Sequence, residues 1–407
     1  MSEGALEGLR ILDLTQGVAG PYCTKLLSDY GADVIKIERP DGGDPARRAG
    51  PFPDDEPHPE RSGLFLDLNT GKRSLTLNLK TESGQRILRR LAAWSDAVVE
   101  NFRPGTLAGF GLSDEQLAEV NPAAALVSIS NFGQHGPYRD FEADDMLLYA
   151  MGGGLAVTAY PGREPNRPWL YAPLFLAGAM AASYSLGAIT ASVRLRQGER
   201  VDISIQEMLA CSLDRATQNV MAHSYGGELF VTEDCNLRAS AFPNGVYGGQ
   251  LPCKDGYVNF LCYPYWWDRF CRMVGREDLI DDTSYSDNLL DPEFGPQIDA
   301  LIYPWLLERT KIEVMDAAQA QGVPVAALNT TEDLFADRQL RARGYFVELD
   351  HPETGPREYP GAQFKMSETP ASIRRAPLLG EHTMEVLTEL LDFTPEDVSI
   401  LRQRDVV

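Results

Sequence analysis

Between two short apolar runs, Thr15-Gln16-Gly17-Val18-Ala19-Gly20-Pro21 places small residues where a strand would turn into a helix. Main-chain N–H groups at such a helix start can face an anion, and Pro21 suits a first helical position. The same residues also serve a tight turn that merely joins two elements. Only Gly17 and Gly20 occur here, so the three spaced glycines of a dinucleotide-binding loop are absent. Taken alone, the loop favours the plain turn. Other reactive side chains are sparse. Six cysteines lie scattered without a C-x-x-C pair and histidines number five, which points to buried free thiols rather than disulfides or a zinc site. His135, in Asn131-Phe132-Gly133-Gln134-His135-Gly136-Pro137, reads as a loop residue at a pocket rim in preference to a general base. The Trp266-Trp267 pair reads as core in preference to a substrate platform.

The elements that must position these residues follow from periodicity. Leu9, Ile11, Leu12 and Leu14, then Val34, Ile35 and Ile37, form two apolar runs, and Tyr22, Leu26, Leu27 and Tyr30 recur between them at helical spacing. A parallel β-α-β crossover is the economical reading. Ser74 to Leu79 alternates as a strand, Ser83 to Trp94 reads as a helix, and Ala97 to Val99 and Leu126 to Ser130 read as further strands. Each strand ends in a polar loop, and in open α/β sheets that edge is where ligands collect. Ala172 to Arg196 is the longest apolar helical stretch, and helix is expected to continue from about Val201 to Tyr225. From Asn244 to Cys262 a β segment turns at Lys254-Asp255-Gly256, and strands with a closing helix return near the C-terminus.

With 407 residues, two domains are the prior. A formal charge of −22 argues against nucleic acid or an anionic membrane as the main partner. Residues 1–110 carry 14 basic and 16 acidic side chains, leaving about −20 for the remainder, so the N-terminal part is the better place for an anionic ligand. No apolar run is expected to approach the length of a membrane span, and the N-terminus lacks a signal-peptide core. A cytoplasmic protein is expected.

Seven motifs in order carry a family resemblance: LEGLRILDLTQGVAGPYCTKLLSDYGADVIKIERPDGGDPAR, NTGKRSLTLNLKTESG, VENFRPGTLAGFG, NFGQHGPY, GERVDISIQEML, LFADRQLRARGYF and APLLGEHTMEVLTELL. Together they are similar to the family III CoA-transferases, the group of formyl-CoA transferase and α-methylacyl-CoA racemase. The resemblance implies an α/β fold with a large Rossmann-like domain built from N- and C-terminal parts, residues 1–225 and 326–407. A smaller α+β domain at 226–325 is inserted, and two chains interlock as a dimer. It implies CoA or acyl-CoA as substrate, with no permanently bound cofactor and no metal. It also implies CoA contacts at Gln16, Gly17, Val18 and Ala19, at Arg39, at Lys72, Arg73, Leu77 and Lys80, and at Asn101, Phe102 and Arg103. Arg and Lys at strand ends suit the pyrophosphate and ribose phosphate of CoA through charge-assisted bonds; any one of these bases alone would read as a solvated surface charge.

Family transferases use an Asp whose carboxylate attacks the thioester carbonyl and expels CoA thiolate, leaving a mixed anhydride. The thiolate then forms an enzyme-CoA thioester, from which the new acyl-CoA arises. The matching segment here is Tyr171-Ala172-Pro173-Leu174-Phe175-Leu176-Ala177-Gly178. It puts Leu174 at the nucleophile position, and a shift of two or three residues gives Leu176 or Ala177. None has a carboxylate. Asp144 stands where the racemases carry a His, and Asp145 matches a family acid that orients groups near the thioester, a role no better supported by the sequence than a helix first-turn acid.

Three readings follow. The first is a non-catalytic subunit of a heteromeric enzyme, paired with a paralogue that supplies the Asp. Two-subunit family members that act on benzylsuccinate in anaerobic aromatic degradation are the precedent, and the chain resembles their E-type subunit, with succinyl-CoA as the implied donor. The second is an active homodimer, a transferase or racemase, that uses another acid, Asp144 or Asp145, or works without a covalent intermediate. The third is an acyl-CoA-binding protein without turnover.

Overall fold

The structure is a computed structural model that describes residues 4–158, 164–166, 168, 170–212, 214–227, 247–289, 291 and 294–407. Cys235 and the start of the expected β segment at Asn244 lie outside the described residues. Six parallel strands form the main sheet: β1 (Arg10–Asp13), β2 (Asp33–Glu38), β3 (Arg73–Thr76), β4 (Ala97–Glu100), β5 (Ala125–Ser130) and β6 (Arg200–Ser204), in the order β3-β2-β1-β4-β5-β6. Leu12 stands opposite Ile35 on one side and Val98 on the other. The order reverses between β1 and β4, which opens a crevice at their carboxyl ends.

Helices cover both faces. Between the strands run α1 (Ala19–Asp29), α2 (Gly63–Leu68), α3 (Glu82–Trp94), α4 (Thr106–Gly109), α5 (Asp114–Val120), α6 (Asp145–Met151) and α7 (Ala172–Leu195), with α8 (Ile205–Ser212) and α9 (Asp214–Gly226) after β6. Strand side chains alternate between faces. Accordingly Ile11, Val34, Val99 and Val127 pack on one side with α1 and α7. Leu12, Ile35, Val98 and Leu126 pack on the other. A buried aliphatic side chain of this kind contributes about 1.5–3 kcal/mol. The stretch from Val201, expected as helix, instead begins with β6. Its Arg200-Val201-Asp202-Ile203 alternation has period two, and pairing with β5 wins over helical continuation.

By length and composition α7 is long and apolar enough to cross a membrane, contrary to expectation. Its small-residue stripe lies against α1: a Cβ on Gly178 would stand 2.5 Å from the Ala19 carbonyl oxygen, so only glycine allows the two backbones to approach this closely.

The described residues divide into two compact units, one of residues 1–154, 167–227 and 339–407, the other of residues 155–166 and 228–338. In the second unit, β7 (Tyr247–Cys253) and β8 (Gly256–Cys262) form a hairpin joined by β9 (Val325–Ala327). Helices α10 (Trp267–Val274), α11 (Thr283–Ser286), α12 (Gly295–Leu307), α13 (Lys311–Ala320) and α14 (Thr331–Ala336) also belong to it among the described residues. The first unit resumes within the short α15 (Arg338–Ala342) and continues with a hairpin of β10 (Phe346–His351) and β11 (Gly355–Pro360), then α16 (Thr383–Leu391) and α17 (Pro395–Gln403). Val386, Leu387 and Val398 of these last helices fill the sheet face carrying Leu12.

Candidate functional site

A cleft of about 400 Å³ opens at the carboxyl ends of β1 to β4. Of the residues expected to meet CoA, it brings together Gln16, Arg39, Leu77, Lys80 and Phe102. Its floor is apolar, from Leu14, Ile37, Leu77 and Leu79. Phe102 meets Phe110 edge to face at 5.6 Å, so one wall is aromatic. Arg39 is half-exposed with only a long 3.9 Å approach to Asp41, and Lys80 is exposed, so both cations can meet phosphate oxygens. Phe110, Asn78 and Asp405 are cleft residues that sequence reasoning missed. Asn78 lies inside the KRSLTLNLK motif and could have been included. Asp405 had no local signal: it arrives from the far end of the chain, tied down by Asn78 Nδ2 donating to its carbonyl at 3.1 Å and by Asn78 N–H donating to Val406 O at 2.8 Å.

The other expected contacts are placed elsewhere. Lys72 is sealed from solvent, its ammonium 3.0 Å from Asp13 Oδ2 and donating to Pro21 O, Thr24 Oγ1 and Asn69 Oδ1. Burial pulls its pKa down, against the pull of Asp13, to about 8. Burial alone would raise the Asp13 carboxyl, but Lys72, Lys36 and the Thr15 and Thr24 hydroxyls bring it to about 2. Arg73 begins β3, at the opposite end of the sheet from the cleft, and pairs with Asp33 at 2.6 Å and Glu385 at 3.1 Å. Arg103 is exposed and paired with Glu142 at 2.7 Å. Val18 and Ala19 are buried beneath the loop.

Loop geometry explains why Gly17 is glycine: its φ is +78°, in the left-handed region. Its N–H donates to Asp44 Oδ1 at 3.0 Å. Asn101 bonds both polar groups of the Gln16 peptide unit, accepting from its N–H at 2.8 Å and donating to its carbonyl at 2.7 Å. The amides of Gln16 and Gly17 are therefore already occupied, and the anion-facing role considered for them does not fit.

Of the residues expected near the nucleophile position, Leu174 lies in the first turn of α7 and packs, with Leu176, against the core, while Ala177 is fully buried. Tyr171 precedes the helix with φ of 57°. Asp144 caps α6 by accepting from Leu147 N–H at 3.0 Å. Asp145 reaches the start of α7, its Oδ2 3.4 Å from Tyr171 N. His135 is exposed, 3.1 Å from Asp202 Oδ2. Trp267 is core, its indole N–H donating to Leu279 O at 2.8 Å, whereas Trp266 packs with Tyr263 and Tyr265. Among the described residues no group of three or more His, Cys, Asp or Glu could hold a metal ion.

Residues 6–383 match the family model described as CoA-transferase family III. The chain is 33% identical over 416 residues to a formyl-CoA:oxalate CoA-transferase of Afipia carboxidovorans, covering 98% of this chain and 96% of that protein. It is 32% identical over 414 residues to the beta subunit of a succinyl-CoA–L-malate CoA-transferase of Chloroflexus aurantiacus, covering 99% and 98%. Among solved structures, a CAIB/BAIF family protein from Brucella suis superposes with a TM-score of 0.84 at 28% identity, over 96% of this chain and all of the other. With the parallel sheet and its switch-point cleft, these matches establish that the chain belongs to CoA-transferase family III.

Proposed function

We propose that this chain is the subunit of a heteromeric CoA-transferase that binds acyl-CoA but leaves the covalent chemistry to a paralogous partner carrying the Asp. The observation that carries this reading is Leu174: the first turn of α7 holds no acid, from Ala172 to Phe175, while the cleft keeps its apolar floor and the exposed cations Arg39 and Lys80. A leucine cannot form an anhydride. The Chloroflexus relative is named as one subunit of its enzyme, which supports a division of labour between chains, and we extend it to an interlocked pair in the cytoplasm. Succinyl-CoA is the donor we favour and a carboxylic acid the acceptor, with benzylsuccinate the first candidate to assay.

Native mass spectrometry of the complex isolated from its source is the test, because it distinguishes a second chain of similar mass from a second copy. A heteromer is expected, with turnover only when both chains are present. Full CoA transfer by this chain alone overturns the reading.

A second reading rests on Asp145, whose carboxylate already lies at the amino end of α7. Under it a homodimer is active, and hydroxylamine traps an acyl group on Asp145.

A further inference from the structure

We propose that Asn101 is a positioning residue: it locks the Gln16 peptide unit so that the loop recognises its ligand through the Gln16 carboxamide and not through main-chain amides. This rests on the reading that the cleft holds acyl-CoA. In the resemblance Asn101 stands as a contact to CoA itself; the geometry points to a different task.

Asn101 follows β4 and Gln16 follows β1, and these two strands flank the point where the sheet order reverses. Beyond β1 the ladder bonds end, with Leu14 N–H donating to Val99 O at 2.9 Å. Past that bond the carboxamide of Asn101 takes over as a side-chain strand partner. Its Oδ1 accepts from Gln16 N–H at 2.8 Å and its Nδ2 donates to Gln16 O at 2.7 Å. The flanking groups are held by buried charge. Thr15 N–H donates to Asp13 Oδ1 at 2.9 Å, Thr15 O accepts from Lys36 Nζ at 2.8 Å, and Gly17 N–H donates to Asp44 Oδ1 at 3.0 Å. Lys36 and Asp44 form an ion pair at 2.8 Å with neither side chain exposed.

Every N–H from Thr15 to Gly17 thus has a fixed acceptor, and the carbonyls of Thr15 and Gln16 have fixed donors. A loop held this way does not need to be ordered by its ligand, which removes an entropic cost of binding. What stays available is the side chain of Gln16, a residue of the cleft lining, whose carboxamide has no hydrogen-bond partner among the described residues. A primary amide offers both a donor and an acceptor, which suits the amide and thioester carbonyls of a pantetheine chain.

The test uses the full chain and two readouts: hydrogen exchange of the peptide covering residues 15–19 without ligand, and CoA affinity by calorimetry. Asn101→Ala is expected to speed exchange at Gln16 and to weaken CoA about tenfold, the effect of losing roughly one to two hydrogen bonds' worth of order. Asn101→Asp keeps the acceptor for Gln16 N–H, so it should keep exchange slow and recover part of the affinity; it also serves if the alanine variant does not fold. Lys80→Ala should weaken CoA with exchange at residues 15–19 unchanged. Asn101→Ala that weakens CoA without altering exchange makes Asn101 a direct contact and overturns the proposal, as does unchanged exchange with unchanged affinity. If the wild-type chain binds no CoA, the acyl-CoA reading fails, while the exchange readout still decides whether Asn101 fixes the loop.

Discussion

Lys72 Nζ stands 3.0 Å from Asp13 Oδ2 with both side chains fully buried. The pair lies beneath the Gln16 loop, since Asp13 also accepts from Thr15 and Thr24. A lysine expected at a phosphate is therefore part of the loop's foundation.

Removing it should reveal that role. Lys72→Ala leaves Asp13 buried and short of its partner, a change that costs about 3–5 kcal/mol. Urea unfolding should show this loss, and CoA affinity should fall only together with it, because the loop above the pair loses its support. A normal midpoint with weakened CoA binding would restore Lys72 as a ligand contact.

Acid should loosen the same foundation. The folded Asp13 carboxyl titrates near 2, below the ordinary value of 3.8, so the unfolded chain binds the proton more readily. The stability Asp13 contributes is full above about pH 4 and is lost as pH falls toward 2. Glu381, held near 2 by the hydrogen bond from Arg375 against the opposing effect of burial, adds in the same direction. Denaturant midpoints measured between pH 2 and 6 should fall over this window, and Asp13→Asn should flatten part of the slope.

Cleft cations and sheet-end cations should separate cleanly. Arg39→Ala and Lys80→Ala are each expected to weaken CoA about 5- to 10-fold and to reduce the salt dependence of binding, as for partly exposed phosphate contacts. Arg73→Ala, at the other end of β3 with Asp33 and Glu385 as partners, should leave affinity unchanged. Calorimetry at two salt concentrations distinguishes them.

Leu174→Asp places a carboxylate in the first turn of α7, where the helix dipole favours negative charge. With acyl-CoA present, the variant should yield a hydroxylamine-sensitive acyl-enzyme that wild type lacks. Trapping in wild type at Asp145 would instead favour the homodimeric reading.

The sequence by itself determined the parallel α/β class, because alternation in Ile11-Leu12, Val34-Ile35 and Val98-Val99 divides cleanly between two covered faces. It also determined that the segment from Tyr171 to Gly178 contains no carboxylate, since residue identity needs no coordinates. Tertiary structure decided where each base points. Lys72 and Arg73 are neighbours in one motif, yet Lys72 turns inward to Asp13, 59 residues away, and Arg73 pairs outward with Asp33 and Glu385. Asn101 meets Gln16 across 85 residues and Asn78 meets Asp405 across 327. Local periodicity records which face of an element is apolar. It carries no trace of partners brought together only when the strands take their order in the sheet, and the cleft is made of such partners.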